Sequence, residues 1–165
     1  MKEINIFGTE RSVSHTKTKI GTRAVIMENG KLLLSHEEIG DYWMLPGGGM
    51  EDGETPEECC IREVAEETGY QAEPLREFLV INEYYGEYRY VCHCFICAVT
   101  GRGEQRLTEI ERSRRMVAEW APLSFFVETV SRYREYEGVN EAKRSAYLRE
   151  YTAMTEYIKE NEIHV

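Results

Sequence analysis

Between Gly48 and Tyr70, four glutamates and one arginine stand at fixed intervals. The order is Gly48, five residues, Glu54, seven residues, then Arg62-Glu63-Val64-Ala65-Glu66-Glu67-Thr68-Gly69-Tyr70. Drawn on a helix at about 100° per residue, Glu63, Glu66 and Glu67 are neighbours at i, i+3 and i+4. They oppose an arc of Cys60, Ile61, Val64, Ala65 and Thr68, which reads as the core face. Like charges at that spacing repel by roughly a few tenths of a kcal/mol per pair. The last turn of a helix also has the wrong dipole for anions, and no lysine within this helix offsets Glu66 and Glu67. A hard divalent cation resolves the conflict, because carboxylates plus substrate phosphates are what Mg²⁺ prefers. Taken alone, Glu66-Glu67 also fits a solvated acidic face. The run Gly47-Gly48-Gly49 weighs against that, since glycines let backbone approach a ligand and expose its peptide groups.

The elements that must position these residues are marked locally. Thr55-Pro56-Glu57-Glu58 is a capping box with proline at the first helical position, and Gly69 stands where a C-terminal cap belongs. A helix is therefore expected over residues 55–68. Residues 20–29 read as a strand, Asn29-Gly30 as a hairpin turn and Lys31 to Ser35 as the return strand. Asp41 to Leu45 is a short aromatic strand that leads into the glycines. Residues 75–84, 88–99 and 116–122 are further strands, and Gly101 to Arg115 a charged loop. A long helix is expected from about Asn140 to Lys159, with Tyr147, Tyr151, Met154 and Ile158 on its apolar face. That face is expected to cover the sheet; a homodimer contact is the alternative. Strands on both sides of a helix, plus the C-terminal helix, predict an α/β fold: a mixed β-sheet between helices.

Bulk properties narrow the class. The 165 residues favour one domain across 1–165, long enough to bury roughly 70% of its unfolded surface. A net charge of −10 argues against a nucleic-acid partner, which would call for a basic stripe. It leaves room for a phosphorylated small molecule whose charge a metal neutralises. The N-terminus lacks a signal-like apolar core, and the longest nearly apolar run, Val91 to Val99, is too short for a membrane. A cytoplasmic protein is expected. Five cysteines fit reduced thiols. Cys92 and Cys94 should share one strand face and Cys97 the other, as small core residues rather than metal ligands.

Gly48 to Tyr70 resembles the Nudix box of the MutT-like Nudix hydrolases. Gly48, Glu54, Arg62, Glu63, Glu66, Glu67 and Gly69 meet its fixed positions, and Val64 its first apolar one. Tyr70 fills the second, where an aliphatic residue is more usual. Trp43-Met44-Leu45-Pro46-Gly47 resembles the usual lead-in. The resemblance implies an α/β/α sandwich with a loop-helix-loop catalytic motif. It also implies hydrolysis of a pyrophosphate bond in a nucleoside diphosphate linked to another group: a nucleoside triphosphate, an NDP-sugar or ADP-ribose, or a dinucleoside polyphosphate. By carry-over, Glu63, Glu66 and Glu67 hold Mg²⁺ or Mn²⁺, one of them serving instead as the base. Glu54 pairs with Arg62, the Gly47 carbonyl is a further ligand, and Gly48 and Gly49 contact substrate. Such ions would lower the pKa of a bound water that attacks phosphorus in line. The alternative is a sensor domain that binds a nucleotide or sugar nucleotide without cleaving it.

Outside the box, Glu104, Glu109 and Glu111 are candidates for the extra loop glutamate found in this family. Tyr84, Tyr85 and Tyr88 lie where some dinucleoside-polyphosphate members carry a tyrosine. Trp43 is a candidate for base stacking or for the core, and Arg89 and Arg102 for phosphate contact or ordinary surface charge. His15, His36, His93 and His164 show no ligand spacing.

Overall fold

The computed structural model describes residues 2–8 and 15–163. Strand β1 (Lys2–Phe7) is followed by β2 (Lys17–Glu28), β3 (Lys31–Glu37), β4 (Tyr42–Met44) and helix α1 (Pro56–Thr68). Then come β5 (Tyr70–Tyr85), β6 (Tyr88–Arg102), α2 (Glu109–Ser113), β7 (Met116–Pro122), α3 (Leu123–Ser131), a 3₁₀ turn (Arg132–Tyr136) and α4 (Glu141–Glu160). Among the described residues the seven strands form one sheet in the order β1-β5-β6-β2-β3-β4, with β7 also on β3. The sheet is mixed. β1/β5 and β2/β6 run parallel; β5/β6, β2/β3, β3/β4 and β3/β7 run antiparallel.

Local chemistry accounts for most of this. Asn29 (φ 50°) and Gly30 (φ 76°) both take positive φ, the two-residue turn that suits the twist of a hairpin. Thr55 caps α1, accepting from the Glu58 N–H at 3.2 Å, while the Glu58 carboxylate accepts from the Thr55 N–H at 2.9 Å. β5 begins directly after the Gly69 cap. It absorbs Pro74, which has no N–H, through a register shift between Pro74 and Arg76.

Alternation along the strands builds two cores. Val25, Leu32, Leu34, Leu79 and Ile81 face α3 and α4, packing on Phe126, Val130, Tyr147 and Met154. Ala24, Ile26, Leu33 and Phe95 face the other way, onto Cys60 and Val64 of α1. Each large aliphatic side chain so buried contributes roughly 1.5–3 kcal/mol. The cysteines follow the predicted faces: Cys92 and Cys94 in the first core, Cys97 beside Cys60 in the second, all unbridged. No helix among the described residues is long and apolar enough to cross a membrane.

Four expectations need correction. β1 was not anticipated, because only Ile6 in it is buried and its order comes from parallel pairing with β5. α3 was not anticipated either, although Leu123, Phe126 and Val130 stand at helical spacing behind Pro122. The 101–115 segment is not all loop, since Thr108 and Glu111 form a capping box that starts α2. Finally, Ile61, expected on the core face of α1, is turned outward, while Glu63 and Glu67 on its acidic side are buried and Glu66 is half-buried. The buried residues of α1 are Cys59, Cys60, Glu63, Val64, Glu67 and Thr68. The glycine loop and β3 cover the glutamate side, and periodicity cannot say what lies over a face.

Candidate active site

After β4 the chain runs beside β2 as an irregular strand. The Ala24 N–H donates to the Pro46 carbonyl, the Thr22 N–H to Gly48 and the Met50 N–H to Ile20, each at 2.9 Å. Gly21 bridges Gly49 across the gap. The loop is squeezed from two sides. A Cβ on Gly47 (φ 145°) would lie 2.1 Å from the Thr22 carbonyl oxygen, and one on Gly48 would lie 2.6 Å from the Glu63 carboxyl group. Gly47 is thus demanded by the β2 backbone, whereas the neighbour at Gly48 is the flexible end of the Glu63 side chain. Gly49 has open space around its Cα.

Arg62 organises the helix side. Its Nε donates to Glu54 Oε1 at 2.6 Å and its Nη2 to Glu54 Oε2 at 3.0 Å, a two-pronged pair. Nη2 also reaches the Gly49 carbonyl at 3.0 Å, which pins the loop. Nη1 donates to Glu63 Oε1 at 2.9 Å and Glu66 Oε2 at 3.1 Å. The Arg62 guanidinium, helped by the Glu51 N–H, holds the Glu54 carboxyl at about 2. Glu54 is therefore a fixed anion that ties loop to helix.

Glu67 is different. It is 6% exposed and has no ion pair among the described residues. Its Oε2 accepts from the Ser35 hydroxyl at 2.7 Å and the Gly47 N–H at 3.1 Å. Burial pushes its carboxyl up to about 7, against the pull of Ser35 and of the Arg23 charge. Burial also raises Glu63, which Arg62 pulls down. Glu66 is half-buried.

No three His, Cys, Asp or Glu side chains among the described residues stand together as a ready ion site. The reason is visible: Arg62 Nη1 sits between Glu63 and Glu66, and Glu67 is held by Ser35 and Gly47. The donor set nevertheless fits a hard divalent ion. Three of the four carboxylates share one guanidinium, and the fourth and most buried, Glu67, has no cation in contact among the described residues.

Sequence reasoning passed over several residues around the box. Ser35 is a lone hydroxyl in the apolar run of β3. Gln105 Nε2 donates to the Glu67 carbonyl, and the Arg106 N–H donates to the Glu66 carbonyl at 2.9 Å, docking the 103–106 segment on the end of α1. Glu150 of α4 is fully buried and accepts from Arg23 Nε at 3.0 Å and the Leu45 N–H at 3.3 Å. Its signal was an acid between Tyr147 and Met154 on the apolar helix face.

Other candidates are used elsewhere. Glu104 and Glu109 are exposed, and Glu111 accepts from the Thr108 N–H at 2.7 Å as a cap. Trp43 stacks on His36 at 3.7 Å and packs edge-on to Phe125. Arg89 bonds Asn82, and Arg102 lies over the Tyr70 ring. Tyr84 stacks on Phe7, and Tyr88 lies under Lys17 and Lys19; Tyr85 lines a cavity. His36 sits between Glu119 and Asp41, His93 contacts Glu77 and His15 packs on Tyr84. His164 lies outside the described residues.

A mixed sheet between helices, with a glycine loop clamped to an acidic helix, is the Nudix architecture. The family model described as the NUDIX domain matches residues 17–136, and the chain belongs to that family. A Bacillus subtilis (strain 168) protein, provisionally named an ADP-ribose pyrophosphatase, is 33% identical over 92 residues, covering 52% of this chain and 44% of its own. Diphosphoinositol polyphosphate phosphohydrolase 3-alpha of Mus musculus is 36% identical over 73 residues, 44% of each chain. The matched stretch thus spans less than half of either relative. A solved NUDIX hydrolase from Nitrosomonas europaea superposes with a TM-score of 0.64 at 21% identity, over 87% of this chain and 90% of that one.

Proposed function

We propose that this chain is a metal-dependent pyrophosphohydrolase that cleaves the diphosphate of a nucleotide, with residues 1–165 acting as one domain. The observation that carries it is Glu67. A buried carboxylate with no cation partner, fixed on a backbone N–H of the glycine loop, is costly unless it serves a ligand. Glu63, Glu66, Glu67 and the Gly47 carbonyl would hold Mg²⁺ or Mn²⁺, which when bound neutralises diphosphate charge and acidifies water.

The chain's own groups do the rest. Arg62 holds Glu54, Glu63 and Glu66 in one register, so that loop and helix meet the substrate as a unit. Ser35 and the Gly47 N–H fix Oε2 of Glu67, which leaves Oε1 to face the ion. The open flank at Gly49 lets substrate approach the loop backbone, and Gly48 keeps the Glu63 carboxylate pressed against it. A reducing, cytoplasmic setting suits the five unbridged cysteines.

The test is turnover of a panel of nucleoside triphosphates, nucleoside diphosphate sugars and dinucleoside polyphosphates with Mg²⁺ or Mn²⁺, products identified. Glu66→Gln and Glu67→Gln should fold and lose nearly all activity. Full activity in both variants would remove the proposed site.

A further inference from the structure

A cavity of about 250 Å³ opens beside Gly48 and Gly49, and Lys19, Arg23, Glu83 and Arg149 stand in its wall. Most of its charge is already spent. Arg149 Nη1 meets Glu83 Oε2 at 3.3 Å, and its Nη2 meets Glu150 Oε1 at 3.2 Å. Arg23 Nε meets the same Glu150 oxygen at 3.0 Å. Two guanidiniums and two carboxylates thus balance one another and tie β2 and β5 to α4.

Lys19 is the exception. Its neighbour on the same face of β2, Lys17, donates to Glu87 at 2.8 Å. Lys19 has no carboxylate partner among the described residues. Its ammonium lies instead over the rings of Tyr88 and Tyr90, at 5.2 and 5.9 Å from their centroids. Those rings stack on each other at 5.6 Å, and Tyr90 is the register partner of Lys19 on β6. Aromatic faces attract a cation without consuming its N–H donors, of which an ammonium has three. The rings therefore seat the charge and leave its donors for a ligand.

The strand fixes where that charge stands. Lys19 is two residues before Gly21, on the same face and roughly 7 Å away along β2. Gly21 bridges Gly49, and the Ile20 carbonyl accepts from the Met50 N–H at 2.9 Å. Glu63 reaches Gly48 from α1. The glycine loop thus has carboxylates on its helix side and, on its β2 side, a cavity wall with an ammonium that no carboxylate among the described residues neutralises.

We infer that Lys19 binds the phosphate that follows the ion-held diphosphate, so that the chain prefers nucleotides with three or more phosphates to nucleoside diphosphate sugars. The bound ions would neutralise the diphosphate, and a third phosphate brings charge that they do not meet. Lys19 meets it with a point charge on a flexible stem and with rotatable donors, which suits a phosphate. A sugar in the same place is neutral and gains no ion pair from the ammonium. The inference rests on the nucleotide-hydrolase reading above and adds the substrate class.

The test is calorimetric binding, with Mg²⁺, of two non-hydrolysable adenosine compounds to the whole chain: the α,β-methylene diphosphate and the bis-methylene triphosphate. The triphosphate should bind about tenfold more tightly. Lys19→Met should remove that advantage, Lys19→Arg should keep it, and added salt should shrink it in the unaltered chain. Lys19 is exposed, so neither variant should move the melting temperature. Equal binding of the two compounds, or an advantage that survives Lys19→Met, overturns the role of Lys19; product release from the nucleotide panel would then leave the hydrolase reading standing. If neither compound binds and the panel yields no products, both readings fail.

Discussion

The molecule buries acids in two places and treats them in opposite ways. On α4, Glu150 is fully buried with two guanidiniums at hydrogen-bond distance, and Glu83 shares one of them. On α1, Glu67 is almost as buried and receives only a hydroxyl and a backbone N–H. The first group is balanced and holds the scaffold together. The second is left in charge deficit, which the fold sustains because the hydrophobic cores on both faces of the sheet outweigh it. A buried acid with its cation is architecture; one lacking a cation is, on the function proposed above, where an ion would bind.

The largest contrast should come from neutralising each acid. Glu67→Gln should cut kcat about a thousandfold while leaving the melting temperature no lower. Glu150→Ala should do the reverse and destabilise the fold by about 3–5 kcal/mol in urea denaturation, because Arg23 and Arg149 lose their shared partner. If Glu67→Gln unfolds the protein, or Glu150→Ala leaves its stability intact, the two sites do not differ as described.

A pH effect of about 3 kcal/mol follows from Glu67 alone. Burial raises its carboxyl from 4.5 to about 7, so the folded chain keeps a proton that the unfolded chain has released. The stability it adds is full below about pH 4.5 and is lost as pH rises through 7. Metal-free protein should therefore show a falling urea midpoint from pH 5 to 8, and Glu67→Gln should not. Glu54 has the opposite sign: held at about 2, it contributes above its unfolded value and fades only as pH falls through 2, outside that window. The smallest effect is expected for Ser35→Ala. Loss of one donor to Glu67 should cost about 1 kcal/mol and move the acid limb of the kcat/KM profile to higher pH.

The legible parts of the fold are those where cause and effect are neighbours in the chain. Asn29-Gly30 sets a hairpin by its own dihedrals. Thr55, Pro56, Glu58 and Gly69 bound α1, and the spacing of Tyr147 and Met154 reveals α4. The box residues were legible as a spacing, and Arg62 does join Glu54, Glu63 and Glu66. What escaped depends on distant partners. β1 is a strand only because β5 pairs with it. The burial of Glu63 and Glu67 comes from a loop folded over the helix, not from the helix itself. Ser35 and Glu150 read as polar interruptions of apolar patterns, and only three-dimensional neighbours give such interruptions a purpose.

The bond from the Gly47 N–H to Glu67 also gives the protein a built-in spectroscopic gauge. An amide proton aimed at a carboxylate oxygen shifts its resonance as that oxygen gains or loses charge. Gly47 is one nucleus away from the ionisation of Glu67 and needs no attached label. Its ¹⁵N–¹H signal, followed through a pH titration and then through a Mg²⁺ titration, would report the protonation of the buried acid in the resting protein and its capture by an ion.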